Sequence, residues 1–120
     1  KGNDRPIMAH IDETKQAGEV YLVPLDMQDF RLETGAPAYV EFKSIPYKDT
    51  DVLEWYRRVS LAGQLYRAPY KRKGCEIVSQ LAEEGVTQVI LPYDHILQSC
   101  ENLRRGYWDW SFVVYEVKED

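Results

Sequence analysis

The densest set of groups able to hold a charged partner lies between Glu54 and Glu76. No acidic residue interrupts that stretch, which carries Arg57, Arg58, Arg67, Lys71, Arg72 and Lys73. It also carries Trp55, Tyr56, Tyr66 and Tyr70. Guanidinium and ammonium groups pair with carboxylates or phosphates, while aromatic rings fill pockets on a protein or stack on bases. The local charge is +6, against −11 for the remainder of a chain whose net charge is −5. That segregation points to a protein partner with an acidic surface, met by the six cations with Tyr70 as the aromatic anchor. Nucleic acid is the alternative, and it predicts binding that weakens steeply with salt. The plain reading beside both is that these charges are solvated, or pair within the molecule with the acidic stretch 26–33.

A second pattern could do chemistry. Tyr39-Val40-Glu41-Phe42-Lys43-Ser44 resembles the strand that carries the Glu-x-Lys half of the PD-(D/E)XK nucleases. The resemblance implies two carboxylates converging on Mg²⁺, with the lysine helping to position the attacking water. Oxygen ligands suit a hard cation, and the metal activates water beside a phosphate. Glu41 and Lys43 match the motif, and the upstream acid would be Asp26 or Asp29. The family's Pro-Asp pair is not intact, because Leu25 separates Pro24 from Asp26. Read from the residues themselves, alternation puts Glu41 and Lys43 on one strand face as an ion pair. The same spacing recurs at Glu116-Val117-Lys118.

Other constellations are absent. His10 and His95 are the only histidines, which excludes a multi-histidine metal site. There is no phosphate-cradling glycine loop, dinucleotide fingerprint or nucleophile elbow. The expected function is therefore a non-catalytic interaction or accessory domain of a larger assembly, working without a cofactor. A Mg²⁺-dependent nuclease and a non-catalytic nucleic-acid-binding module are the alternatives.

The elements that must position these groups follow from periodicity. Residues 1–18 are polar around Ile7, Met8 and Ile11 and read as an arm or a short marginal helix ahead of a single domain over 19–120. Glu19–Leu25 reads as a strand that Pro24 places at an edge or bulge. Ala38–Ile45 alternates as a second strand, pairing antiparallel with the first. A helix is predicted from an Asp51 cap to about Leu65, then a basic loop over 68–74, then a helix over Cys75–Glu84 closed by Gly85. Val86–Leu91 reads as an interior strand. Asp94 is placed as the cap of a third helix ending at Gly106. Tyr107–Val117 reads as one long strand, with Trp108, Trp110 and Phe112 on a core-facing side. The order β-β-α-α-β-α-β predicts an α+β fold: a mixed, mainly antiparallel four-stranded sheet with helices mainly on one face.

Composition bounds the rest. A chain of 120 residues, 44% hydrophobic and 29% charged, fits one ordinary globular domain. Runs such as Val89-Ile90-Leu91 and Phe112–Tyr115 are too short to span a bilayer, so no membrane is expected among its partners. The chain starts at Lys1, which predicts a processed product or a piece of something longer. Cys75 and Cys100 form neither a C-x-x-C pair nor a zinc spacing. They fall on apolar faces of predicted helices, where buried free thiols are expected. That usage leans to a reducing, intracellular compartment, the cytoplasm.

Overall fold

A computed structural model describes residues 3–42, 45–67, 71–94, 97 and 100–118. The elements run α1 (Arg5–Thr14), β1 (Tyr21–Leu22), α2 (Phe30–Thr34), α3 (Asp49–Arg67), α4 (Lys71–Glu83), β2 (Gln88–Pro92), β3 (Leu103–Trp108) and β4 (Phe112–Val117). The four strands form one open mixed sheet in the order β1-β2-β4-β3. β1 and β2 are parallel, while β2–β4 and β3–β4 are antiparallel. This is the expected α+β class.

Alternation along β2 and β4 divides the core in two. Val89, Leu91, Val113 and Tyr115 pack with Leu61, Ala62 and Leu65 of α3 and with Ile77, Val78 and Leu81 of α4. Ile90, Phe112 and Val114 face the other way, toward Ile7, Met8 and Ile11 of α1 and Phe30 of α2. The two long helices thus share one face. The other face is covered by a stretch expected as a polar arm. Ile7 and Ile11 lie one helical turn apart, and both are buried. The five-residue helix α2, where no element was expected, completes that layer.

The C-terminus of α4 forms where its glycine predicts. Gly85 adopts φ +103°, Gly85 N–H donates to Ala82 O, and Val86 N–H donates to Leu81 O. This is the double bond of a Schellman motif, which a left-handed residue makes possible. At its other end, α4 begins at Lys71, so Lys71, Arg72 and Lys73 open a helix rather than occupying the expected loop.

Three other expectations are corrected. Residues 38–42 are tied to the sheet by a single parallel bridge, Tyr21–Ala38, rather than by an antiparallel ladder. β1 lasts only two residues: Tyr39 N–H still donates to Tyr21 O at 2.8 Å, but β1 supplies no donor to Tyr39 O or Glu41 O. Side chains of α3 supply the missing donors: Arg58 Nη1 reaches Tyr39 O and Trp55 Nε1 reaches Glu41 O, each at 2.8 Å. Of the predicted helix from Asp94 to Gly106, residues 95–96 and 98–99 lie outside the described residues, and its last part is β3, whose Leu103 pairs with Val117. The single long strand over 107–117 is two strands of a hairpin. Asp109 breaks it: its carboxylate accepts from Ser111 N–H at 2.6 Å and Phe112 N–H at 2.8 Å, a side-chain turn mimic.

The cysteine expectation is also overturned. Cys75 of α4 and Cys100, three residues before β3, form a disulfide, with their Cα atoms 5.4 Å apart. Burial alone does not distinguish a thiol from a disulfide, because both are apolar. What decides is that the fold brings the two cysteines within bonding reach.

Candidate functional site

The basic segment divides into two parts. Arg57 lies between two carboxylates, with bonds of 2.8–3.0 Å to Glu54 and of 2.8 and 2.9 Å to Glu84. Arg58 bonds Glu54 at 2.8 Å and sits 4.8 Å from the centroid of the Tyr39 ring. Tyr39 closes the network through its hydroxyl, which donates to Glu84 at 2.6 Å. Hydrogen bonds from Arg57, then Arg58, hold the Glu54 carboxyl down to about 2. The Arg57 bond likewise lowers Glu84, while burial raises the Tyr39 phenol. These two arginines join α3, the start of β2's approach and the 38–42 segment. Their partners are Glu54 and Glu84, not the acidic stretch 26–33.

The second part of the segment faces solvent. Arg67 ends α3 and Lys73 stands in the first turn of α4, both exposed. Tyr70 lies outside the described residues. Trp55 and Tyr66 are half-buried, and Tyr66 donates its hydroxyl to Ile90 O at 2.7 Å. Tyr56 is 65% exposed.

For the nuclease pattern, Glu41 pairs with Arg31 at 2.7 Å. Lys43 lies outside the described residues, and Asp26 is exposed in the turn after β1. Among the described residues, no three His, Cys, Asp or Glu side chains come together to hold a metal ion. Glu41 and Asp29 instead rim a groove of about 310 Å³, whose apolar lining includes Val23, Leu25, Phe30, Leu32, Val40 and Phe42. Asp26 and Glu33 line the adjoining depression, which shares Asp29 with the groove.

The least anticipated feature is aromatic. Tyr93, Trp108 and Trp110 form a three-ring cluster with centroids 5.5–5.7 Å apart, two of the pairs edge-to-face. The rings are 37%, 44% and 80% exposed, although Trp108 and Trp110 were expected in the core. The cause is the break at Asp109, together with a register shift between Arg105 and Trp108. These carry the two indoles past the edge of the packed face. The Arg105 guanidinium lies 6.0 Å from the Trp108 centroid. The turn chemistry of Trp108-Asp109-Trp110-Ser111 is the signal in the sequence that could have revealed this exposure.

Topology gathers these features at one end of the sheet. β1 and β2 are parallel, so the turn at Asp26 and the residue Tyr93 leave the sheet at the same end. The β3–β4 turn is there too, because Pro92 pairs with Phe112 and Trp108 with Val113. Tyr66, one residue before the end of α3, donates its hydroxyl to Ile90 O in the middle of β2. Burial raises the Tyr66 phenol, and the Asp26 charge adds to the effect.

By its sheet and layers the protein is an open-sheet α+β domain with two helical coverings. The family model described as Domain of unknown function (DUF6798) matches residues 3–62, half of the chain, and the chain belongs to that family. No curated protein and no solved structure matches it. The matched span holds α1, β1, α2, the groove and most of α3. The aromatic cluster lies beyond it.

Proposed function

We propose that this is a non-catalytic interaction domain, an accessory part of a larger assembly, whose contact surface is the basic and aromatic end of the sheet. One observation carries the reading: three aromatic rings stand exposed together at a hairpin turn beside Arg105. Burying such rings favours association strongly, because Trp, Tyr and Arg bury large areas and are the residue types richest in binding hot spots. Arg67 and Lys73 add positive charge at that end. The chemistry fits an acidic protein surface.

The cysteines bear on the compartment. The case for a reducing, intracellular setting rested on free thiols and falls with them. Disulfides persist in oxidising compartments, and the protein is proposed to work in one. No helix among the described residues is long and apolar enough to cross a membrane.

The test is partner capture from an extract of the native cell by the whole chain. Trp108→Ala/Trp110→Ala and Arg67→Glu/Lys73→Glu should each lose the partners that the unmodified chain retains. Retention of every partner by both variants would defeat the contact reading. Binding to oligonucleotides that falls steeply with salt would replace the protein partner with a nucleic acid.

A further inference from the structure

A row of polar side chains crosses all four strands at the end of the sheet away from the aromatic cluster. Tyr21 pairs with Gln88, Gln88 with Glu116, and Glu116 with Arg104. Directly opposed residues share a face, so the four stand together on the side covered by α1. With Glu19 they line a pocket of about 240 Å³. Ile11 and Val114 give it an apolar wall, and the rings of His10 and Tyr107, stacked with centroids 4.4 Å apart, give it another. Two features of this lining are left over. Gln88 is only 8% exposed, and its Nε2 donates to Glu19 Oε2 at 3.2 Å. A carboxylate only accepts, so that bond fixes which amide atom is which. Gln88 Oε1 then accepts no hydrogen bond from the described residues. Buried polar groups as a rule have a partner, and an exception calls for an explanation. The Glu19 charge is the second feature. Its carboxylate accepts from Gln16 N–H at 2.9 Å, from the Tyr21 hydroxyl at 2.8 Å and from Gln88, all neutral donors.

We propose that this pocket binds a primary ammonium group carried on a short carbon chain, with Gln88 Oε1 and Glu116 accepting its N–H bonds. The site stands apart from the contact surface above and does not depend on it. The lining selects the class. Two carboxylates, Glu19 and Glu116, meet one guanidinium, Arg104, which is bonded to Glu116 Oε1. One negative charge is therefore in excess when His10 is neutral. An ammonium has three donors and no acceptor, which matches the spare oxygens of Gln88 and Glu116. Charge-assisted bonds of this kind are the strong ones. An anion would meet both carboxylates. A divalent metal ion fits less well, because among the described residues no three His, Cys, Asp or Glu side chains come together to hold one. Ile11 and Val114 offer the carbon chain an apolar surface, and a tyrosine ring face such as that of Tyr107 attracts a cation. The volume lies below about 300 Å³, the lower end for ligand sites, which suits a ligand of a few heavy atoms.

The test is an NMR titration of the whole isotope-labelled chain at fixed ionic strength. The probe is n-butylammonium chloride, taken to roughly 10 mM so that a millimolar Kd is well covered. Saturable shifts are expected at the Gln88 side-chain amide and at the backbone amides of Ile11, Val114 and Glu116. n-Butanol has the same chain without the charge and should bind about tenfold more weakly or worse. Acetyl-lysine amide separates two sources of the group. If it binds as n-butylammonium does, a peptide lysine can supply the ammonium; if it is excluded while n-butylammonium binds, the ligand is a free amine. Either result supports the site. Gln88→Met removes the amide oxygen at nearly constant length, and Glu116→Gln removes a charge from a half-buried position. Each should weaken n-butylammonium binding by about tenfold. Circular dichroism melts verify folding. Should Gln88→Met fail to fold, Glu116→Gln and the shift map of the unmodified chain still decide. No saturable shift, as when water alone bonds Gln88, overturns the proposal. So do equal affinity for n-butanol and undiminished binding in folded Glu116→Gln.

Discussion

Removing the Cys75–Cys100 bridge should lower stability by an amount set mainly by chain entropy. The two cysteines are 25 residues apart. Closing a loop of that length removes about 12 cal/mol/K from the unfolded chain, or about 3.5 kcal/mol at room temperature. At about 2.1 cal/mol/K per residue, the entropy of unfolding is about 0.25 kcal/mol/K for this length, so the loss corresponds to a fall of about 14 °C in Tm. The clean perturbation is Cys75→Ala/Cys100→Ala. Cys100 is only 4% exposed, and serine there would add the separate cost of a buried hydroxyl. Calorimetry of the double variant and of the native chain with reductant should give the same Tm, lowered from that of the native chain without reductant. Thiol titration of the unfolded, unreduced chain should find no free thiol. A Tm change below about 3 °C, or two titratable thiols before reduction, would refute the reasoning and restore free cysteines.

Three further outcomes are expected. Leu81→Ala, at a fully buried site between α4 and the sheet, should cost about 2–5 kcal/mol in urea unfolding, whereas Trp110→Ala should stay within about 0.5 kcal/mol. Glu54 and Glu84 are both held below the ordinary carboxylate range. The unfolded state therefore binds more protons, and their contribution is present above about pH 5 and fades as pH falls toward 2. Denaturant titrations across that window should show the decline, shallower in Glu84→Gln. Gly85→Ala should destabilise by about 1–2 kcal/mol through backbone strain alone, since φ is +103° and no heavy atom lies within 4 Å of the added Cβ. An unchanged urea midpoint would show that the turn relaxes.

Where the sequence was legible, local pattern and tertiary demand agree. The α3 and α4 stripes, the apolar run of β2 and the Gly85 stop all point the same way, and all are present. Helix α1 was faint because Ile7, Met8 and Ile11 are few. It forms because Ile90, Phe112 and Val114 leave a second sheet face to cover, a demand invisible within residues 1–18. β3 was missed for the opposite reason. As an edge strand it buries only Leu103, and Arg104, Arg105 and Gly106 show no alternation to read. In the 38–45 stretch the alternation misled, because a strand also needs a neighbour. At the candidate site, the charge segment was visible but its division was not. Which cations are paired depends on Glu84, 27 residues from Arg57.

That division changes how the basic segment can be tested. Reversing all six cations to glutamate would put a third carboxylate against Glu54 and Glu84 at position 57, and another beside Glu54 at position 58. Single exposed ion pairs contribute only about 0–1 kcal/mol, but here one guanidinium separates two carboxylates that would otherwise face each other. The Tyr39 hydroxyl would then have to stay bonded to Glu84 without a cation nearby. Loss of partner binding in such a variant would report an opened joint between α3 and α4 as readily as a lost contact. Arg67 and Lys73 carry no such duty and stand at the end of the sheet where the aromatic rings are exposed. Reversing those two, with the Arg57 and Arg58 network intact, separates the charge that holds the fold from the charge available to a partner.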